Sequence, residues 1–522
     1  MYLFLGIFYL AGLGPFVAVA PLIAVGRALG LTGELLGRYG RLLIGVLRRR
    51  TPEFVTLPPF RPQDEPQPAH RQYFFGPALR DLRQLNTLAR RLYVRTVGDG
   101  FRSVTLHQFT RPTQSRFLTV PFGLTLYAGL ALGAVLVVPF LAVALLLHGL
   151  LIAVLHAAAR LAASLLRALD VAALWTRALH NGMLCPHCFE RVPYPAYECR
   201  NASCRRRHTD IRPGRYGIVR RRCQCRTKLP TLLMLMPKKR RLEAHCTFCA
   251  KPMGQDAGHL AETVLPLIGG RAAGKTQLMA AMLMSLDSGE GSALRAADED
   301  TRGNYEILRE VLEIQGHTRS TQRALPRAYS VILTQGRTER LLHVFDTAGE
   351  RFTHREDIDA LGYVRAAHTF LFVLDPLAVP AFWEGPGAGR HSTVDRALAS
   401  SVHPELVFQQ TVQAMLQMDA PLKQSRLAVA ISKTDLLHTE SLPEGSPDDR
   451  PGDGFGNSGP DDSDRARDWL IKELQLGNLV RAMTHNFREV RFFFTAAVTV
   501  EERRVHDSMT PFVTWCLHEG RG

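Results

Sequence analysis

The run Gly269-Gly-Arg-Ala-Ala-Gly-Lys-Thr276 constrains this chain more than any other stretch, because its spacing is the one a bound phosphate requires. Apolar Val264-Leu-Pro-Leu-Ile268 precedes it as a buried strand, and Leu278-Met-Ala-Ala-Met-Leu-Met284 follows as helix. In that order the backbone N–H groups around Gly269, Gly270 and Gly274 converge on an anion at the positive end of the helix. Lys275 then reaches the β- and γ-phosphates, and the Thr276 hydroxyl ligates Mg²⁺. Gln277, in the first helical turn, belongs to the same cradle.

Three more apolar stretches end in residues that suit the same ligand. Leu341-Leu-His-Val-Phe-Asp346 leads into D-x-x-G, where Asp346 would hold Mg²⁺ through water and the Gly349 N–H would sense a γ-phosphate. Leu427-Ala-Val-Ala-Ile431 leads into Ser432-Lys-Thr-Asp435. A carboxylate at Asp435 accepts two hydrogen bonds from the N1–H and 2-amino group of guanine, and Lys433 packs along the phosphate loop. Adenine offers no such donor pair, so this site would reject ATP. Val490-Arg-Phe-Phe-Phe494 leads into Thr495-Ala-Ala497, where the main chain at Ala496 would back the guanine O6.

With these four motifs in this order, residues 262–520 resemble a Ras-like GTPase domain of the translation-factor-related class. Together with the cysteine pairs upstream, the layout is similar to that of bacterial zinc-ribbon proteins with a double-GTPase type domain, linked to predicted conflict systems. The resemblance implies an α/β P-loop GTPase domain with a mostly parallel sheet, binding GTP or GDP with Mg²⁺ and hydrolysing GTP. It also implies a Mg²⁺-sensing switch threonine before the Tyr329-Ser-Val-Ile-Leu333 strand. Thr318 and Thr321 both qualify, and Thr321 is preferred. Two residues depart from the family pattern. Ser432 stands where Asn or Thr is usual, which puts a contact to the loop in question. Glu350 stands where small GTPases carry the water-orienting Gln, and a carboxylate there repels the γ-phosphate, so turnover would be slow or partner-activated. Lys275, Thr321 and Glu350 are therefore the candidate catalytic residues. A nucleotide-gated scaffold that does not hydrolyse is the alternative.

Charge divides the chain. Residues 1–260 hold 36 Lys and Arg against 12 Asp and Glu, whereas residues 261–522 hold 28 against 36. The positive charge thus belongs to the N-terminal half. Eight of the nine cysteines fall into close pairs there: Cys185/Cys188, Cys199/Cys204, Cys223/Cys225 and Cys246/Cys249. Beside a nucleotide-binding domain such pairs read as zinc ligands in a reducing compartment, not as disulfides. Residues 181–260 are read as a double zinc ribbon. Sequential pairing, the first pair with the second and the third with the fourth, is the simpler expectation, and spacing leaves a crossed arrangement open. Cys516 reads as a buried helix residue. Basic runs such as Arg205-Arg-Arg-His208, Arg220-Arg-Arg222 and Lys238-Lys-Arg-Arg241 would attract anionic headgroups or a partner. Nucleic acid is the less favoured partner, since no RNA-binding aromatic signature accompanies them.

Residues 2–26 carry no charge, and neither do residues 118–159. Each is long enough to cross a bilayer, which takes about 20 residues. The expectation is a transmembrane helix over 1–26, an Arg-rich cytoplasmic segment over 27–116, a two-helix hairpin over 117–159 turning at Pro139, and an amphipathic linker helix over 160–180. Positive-inside bias then favours three spans, with ribbons and GTPase in the cytoplasm, over two. Within 261–522 the pattern predicts helices over Leu294–Gln315 and Arg465–Asn486, and a disordered acidic insertion over 440–464. A protein effector is implied but not identified.

Overall fold

The computed structural model describes residues 2–48, 66–109, 116–179, 181–289, 292–315, 327–346, 362–384, 394–437, 460–497 and 505–518. They fall into two compact units, residues 1–168 with 212–232, and residues 169–211 with 233–522.

The first unit is built on three long helices, α1 (Tyr2–Arg48), α2 (Pro77–Gln108) and the part of α3 (Arg116–Thr176) up to residue 168. Leu31, Leu35, Val104, Leu130 and Val137 are buried together between them, with Tyr39, Leu85 and Ala89 in a second cluster. Small residues allow the closest approach. A Cβ on Gly129 would lie 2.6 Å from the Ala24 carbonyl, and one on Gly133 would lie 2.8 Å from the Ala28 carbonyl. This is a small-x-x-x-small crossing of the kind that lets helix backbones touch. A short hairpin, Arg220–Arg222 with Lys228–Pro230, completes the unit, and the His70 N–H donates to the Arg222 carbonyl at 2.9 Å.

Two expectations are corrected here. The 117–159 stretch is not a hairpin: α3 runs unbroken through Pro139 as a 61-residue helix. Reversal needs a turn whose backbone polar groups are satisfied, and Ala134 to Leu147 holds no Gly, Asn or Asp to make one. The amphipathic stretch from 160 continues the same helix as far as Thr176, and α1 likewise extends past residue 26. Two helical stretches, Pro15–Gly45 and Thr119–Thr176, are long and apolar enough to cross a membrane. The three-span arrangement is not supported.

The second unit holds a seven-stranded sheet: β1 (Ala261–Gly269), β2 (Ser292–Ala296), β3 (Arg327–Gln335), β4 (Thr338–Asp346), β5 (Thr369–Leu374), β6 (Arg426–Ile431) and β7 (Glu489–Phe494). Their order is β2-β3-β4-β1-β5-β6-β7. β4, β1, β5, β6 and β7 run parallel to one another, and β2 and β3 are antiparallel additions at one edge. The parallel strands are apolar on both faces because both are covered. Phe370, Phe372 and Leu374 of β5 enter one core with Val407, Trp469 and Met483, while Leu371 and Val373 enter the other with Met279, Leu283 and Phe512. The covering helices are α4 (Lys275–Ser288), α5 (Glu299–Gln315), α6 (Pro404–Gln417), α7 (Pro460–Lys472), α8 (Gly477–Asn486) and α9 (Met509–Leu517). Cys516 is buried in α9, as read from the sequence.

Three boundaries differ from expectation. Leu294 belongs to strand β2, and the helix begins only after Asp298, whose carboxylate accepts the Thr301 N–H at 2.7 Å as a cap. The acidic 440–464 stretch ends in helix: α7 starts at Pro460, a proline in its first turn followed by Asp461 and Asp462. The single helix expected over 465–486 is two, parted where Gln475 takes φ 56°.

Candidate functional site

The sequence-derived residues gather at one edge of the sheet, at the carboxyl ends of the parallel strands. In open α/β sheets this is where ligands bind, beside the strand from which crossovers leave in both directions. Here that strand is β1.

The loop after β1 is shaped by its glycines. A Cβ on Gly269 would sit 2.7 Å from the Val373 carbonyl, so only glycine lets the loop leave β1 beside β5. Gly274 takes φ 91°, in the left-handed region, and turns the chain into α4. A Cβ on Gly270 would meet the Ser400 hydroxyl at 2.6 Å. Lys275 is buried, and its ammonium donates to the carbonyls of Gly269 at 2.9 Å and Gly270 at 2.6 Å. Gln277 follows, half-buried, in the first turn of α4. The Thr276 hydroxyl donates to the Asp346 carboxylate at 2.6 Å, which joins the ends of β1 and β4.

The Ser432–Asp435 turn closes the other side. The Ser432 hydroxyl lies 2.9 Å from the Ala273 carbonyl of the loop and 3.1 Å from that of Leu374. The serine thus keeps the loop contact that its departure from the family pattern put in question. Lys433 takes φ 60° and reaches back to the Asp375 carboxylate and the Leu398 carbonyl, both at 2.6 Å. Asp435 is exposed at the tip of the turn. The Thr434 N–H lies 3.5 Å from the Thr495 carbonyl. Ala496 is buried, and its N–H donates to the Ser508 hydroxyl at 3.1 Å.

One residue outside the sequence-derived set holds this side together. Asp375, at the end of β5, is only 2% exposed, so its carboxylate requires partners. It accepts from Lys433, from the Ser400 N–H at 2.7 Å and from the Leu377 N–H at 3.0 Å. Ser400 in turn donates its hydroxyl to the Arg271 carbonyl at 2.7 Å. An acid closing a wholly apolar strand, Phe370-Leu-Phe-Val-Leu-Asp375, was the available signal. Thr318, Thr321, Gly349 and Glu350 lie outside the described residues.

Residues 263–514 match the family model described as Double-GTPase 2. The chain carries a double-GTPase domain. A search of curated proteins returned no match to the chain.

Against the double-GTPase domain sits a cysteine cluster. Cys185, Cys188, Cys246 and Cys249 place their sulfurs within 4.8 Å of one another. Cys185 lies 3.7 Å from Cys249, and Cys188 lies 3.7 Å from Cys246. Four sulfurs at the usual zinc–thiolate distance in a tetrahedron are about 3.8 Å apart, so the group fits zinc closely. Burial pushes the Cys185 and Cys188 thiols up, whereas Cys249 is shifted down. Cys199 and Cys204 of the second unit, and Cys223 and Cys225 of the first, make up the other two cysteine pairs.

Sequential pairing of the ribbons is therefore corrected: the first pair meets the fourth. Strand pairing is the cause, since Ala196 and Tyr197 ladder with His245 and Ala244 and carry the last pair back to the first. Each pair is followed by a non-glycine residue in the left-handed region: Phe189, Arg205, Arg226 and Ala250. These turns fold the chain back, as when the Phe189 N–H donates to the Cys185 carbonyl at 3.0 Å.

Phe189 also ties the cluster to the nucleotide-side core. Its ring meets Phe345 edge-on at 5.4 Å and Tyr363 at 5.3 Å, and those two rings stack at 4.1 Å. Phe345 directly precedes Asp346. The Leu184 N–H donates to the Glu262 carboxylate of β1 at 2.9 Å, and burial raises that carboxyl to about 7.

The pairing has a direct check by metal analysis of the full chain. Cys185→Ser and Cys246→Ser should each lose one zinc of two, and the double variant should lose no more than either alone. Sequential ribbons would lose both ions in the double variant.

Proposed function

We propose that the chain is a membrane-associated GTP-driven switch that binds and hydrolyses GTP with Mg²⁺. The observation that carries this reading is the joining of three strand ends: the loop Gly269–Thr276 contacts Asp346 through Thr276 and the Ser432–Asp435 turn through Ser432. Gly269, Gly270, Gly274 and Lys275 cradle the phosphates, with Gln277 supporting the helix turn. Thr276 ligates Mg²⁺ and Asp346 holds it through water. Asp435 reads guanine. Its carboxylate accepts from the N1–H and 2-amino group of the base, and the Ala496 N–H, which donates to Ser508, is left out of the O6 contact. Thr321, or Thr318, with Gly349 would report the γ-phosphate, and Glu350 would slow hydrolysis. Zinc is structural, held by the eight paired cysteines. The basic N-terminal half faces lipid or a protein effector, with nucleic acid the lesser alternative.

The test is nucleotide binding and turnover by the purified full chain in Mg²⁺. GTP should bind more tightly than ATP by about a hundredfold or more, with phosphate release abolished in Lys275→Ala. Guanine-selective binding without any release would leave the non-hydrolysing scaffold. Equal binding of both nucleotides would remove the GTPase reading.

A further inference from the structure

The apolar run of α3 and the charged helix α2 lie side by side, and that pairing says how a bilayer would meet them. α2 packs antiparallel to α3 along nearly the whole uncharged run. Ring contact joins Phe75 to His156 at one end, and Phe109 to Tyr127 at the other. Between them, Leu82 packs near Gly149, the Tyr93 hydroxyl donates to the Ala134 carbonyl at 3.2 Å, and Leu130 packs near Gly100. The outer side of α2 exposes Arg83, Arg90, Arg91, Arg95, Asp99 and Arg102.

Upright insertion would therefore carry six ionised side chains into hydrocarbon beside α3. Each costs about 2.5–3.5 kcal/mol at the bilayer centre even on the gentlest scale. Length argues the same way. The 42 uncharged residues of 118–159 span about 63 Å as helix, twice the hydrocarbon thickness of about 30 Å. Yet the flank of α3 not covered by α2 and α1 is strongly apolar and exposed, with Val135, Phe140, Val143, Leu147, Leu150 and Val154 on it. α1 adds exposed Arg27 and Arg41, charges that anionic headgroups attract, while Arg38 is held by Glu34 and Thr96.

We infer that the three-helix bundle is an in-plane anchor: α3 lies along one leaflet of an anionic bilayer, with the arginine face of α2 in water. This rests on the membrane association proposed above and replaces crossing by lying flat. A large apolar face opposite a basic one is the polarity of an interfacial element. The α1–α3 contact at Gly129 and Gly133 keeps the two lipid-side helices together.

The experiment uses the full chain with vesicles of phosphatidylcholine and phosphatidylglycerol whose acyl chains carry bromine at chosen depths. Tryptophan is introduced as Phe140→Trp on α3 and Val94→Trp on α2, positions 57% and 63% exposed and so tolerant of the change. Emission is read as the difference from the unaltered chain. In-plane binding predicts that Phe140→Trp is quenched most by bromine near the headgroups, while Val94→Trp is not quenched. Quenching of both, strongest from the bilayer centre, would overturn the in-plane placement and leave membrane association standing. No sedimentation with vesicles would remove both. A concentration-dependent dimer without vesicles that shields Phe140→Trp from a soluble quencher would assign the face to a second copy instead.

Discussion

Asp435→Asn should exchange GTP for xanthosine triphosphate. The wild-type carboxylate offers two acceptors to the N1–H and 2-amino group of guanine. Xanthine carries a carbonyl where guanine has that amino group, and the carbonyl faces the carboxylate unfavourably. An asparagine amide supplies a donor there and inverts the match. The mutant should lose GTP affinity by about two orders of magnitude and gain the xanthine nucleotide, since mismatched polar groups at a site cost a few kcal/mol. The turn should survive the change. It is held by Ser432 against the loop, by Lys433 against Asp375 and Leu398, and by Thr434 near Thr495. Fluorescent-analogue competition with the four triphosphates, GTP, ATP, XTP and CTP, reads the result. Unchanged discrimination in the variant would show that Ser432–Asp435 is only a strand end.

The strand ends were readable because each couples an apolar run to a polar residue, and burial of a parallel strand on both faces demands such a run. Val264–Ile268, Leu341–Phe345 and Leu427–Ile431 are of this kind, so both core and phosphate loop emerged from composition and spacing. Strand β2 was hidden because Leu294-Arg-Ala-Ala297 has helix-forming composition, and only pairing with Val331–Gln335 makes it extended. Asp375 carries one local sign, an acid closing an apolar strand, but its role as a hub depends on Ser400 and Lys433, which are remote in sequence. The order of cysteine pairing depends on which strands ladder, and the spacings fit sequential and nested zinc sites alike. Pro139 does not end its helix, because a proline without turn residues around it leaves no way for the chain to reverse, and α3 continues.

Phe189 makes a test of whether metal and nucleotide sites act together. It directly follows Cys188, takes φ 62°, and sends its ring into the core against Phe345 and Tyr363. Phe189→Ala removes none of the sulfurs, so zinc content should stay unchanged. It empties a ring-sized space beside the residue that precedes Asp346, where large-to-small changes of this kind cost about 3–5 kcal/mol of stability. Freed of that packing, Asp346 should hold its place beside Thr276 less well. Mg²⁺-dependent GTP affinity should then fall by about tenfold, within the range of ordinary coupling energies, while binding measured without Mg²⁺ changes little. Phe189→Leu should restore most of the loss by refilling the space. Because coupling is reciprocal, equilibrium zinc affinity, read by competition with a coloured chelator, should differ between the GTP- and GDP-bound wild-type protein and be the same for both in Phe189→Ala. Equal Mg²⁺ dependence in variant and wild type would mean that the ring only fills the core and the zinc cluster stands apart from the switch.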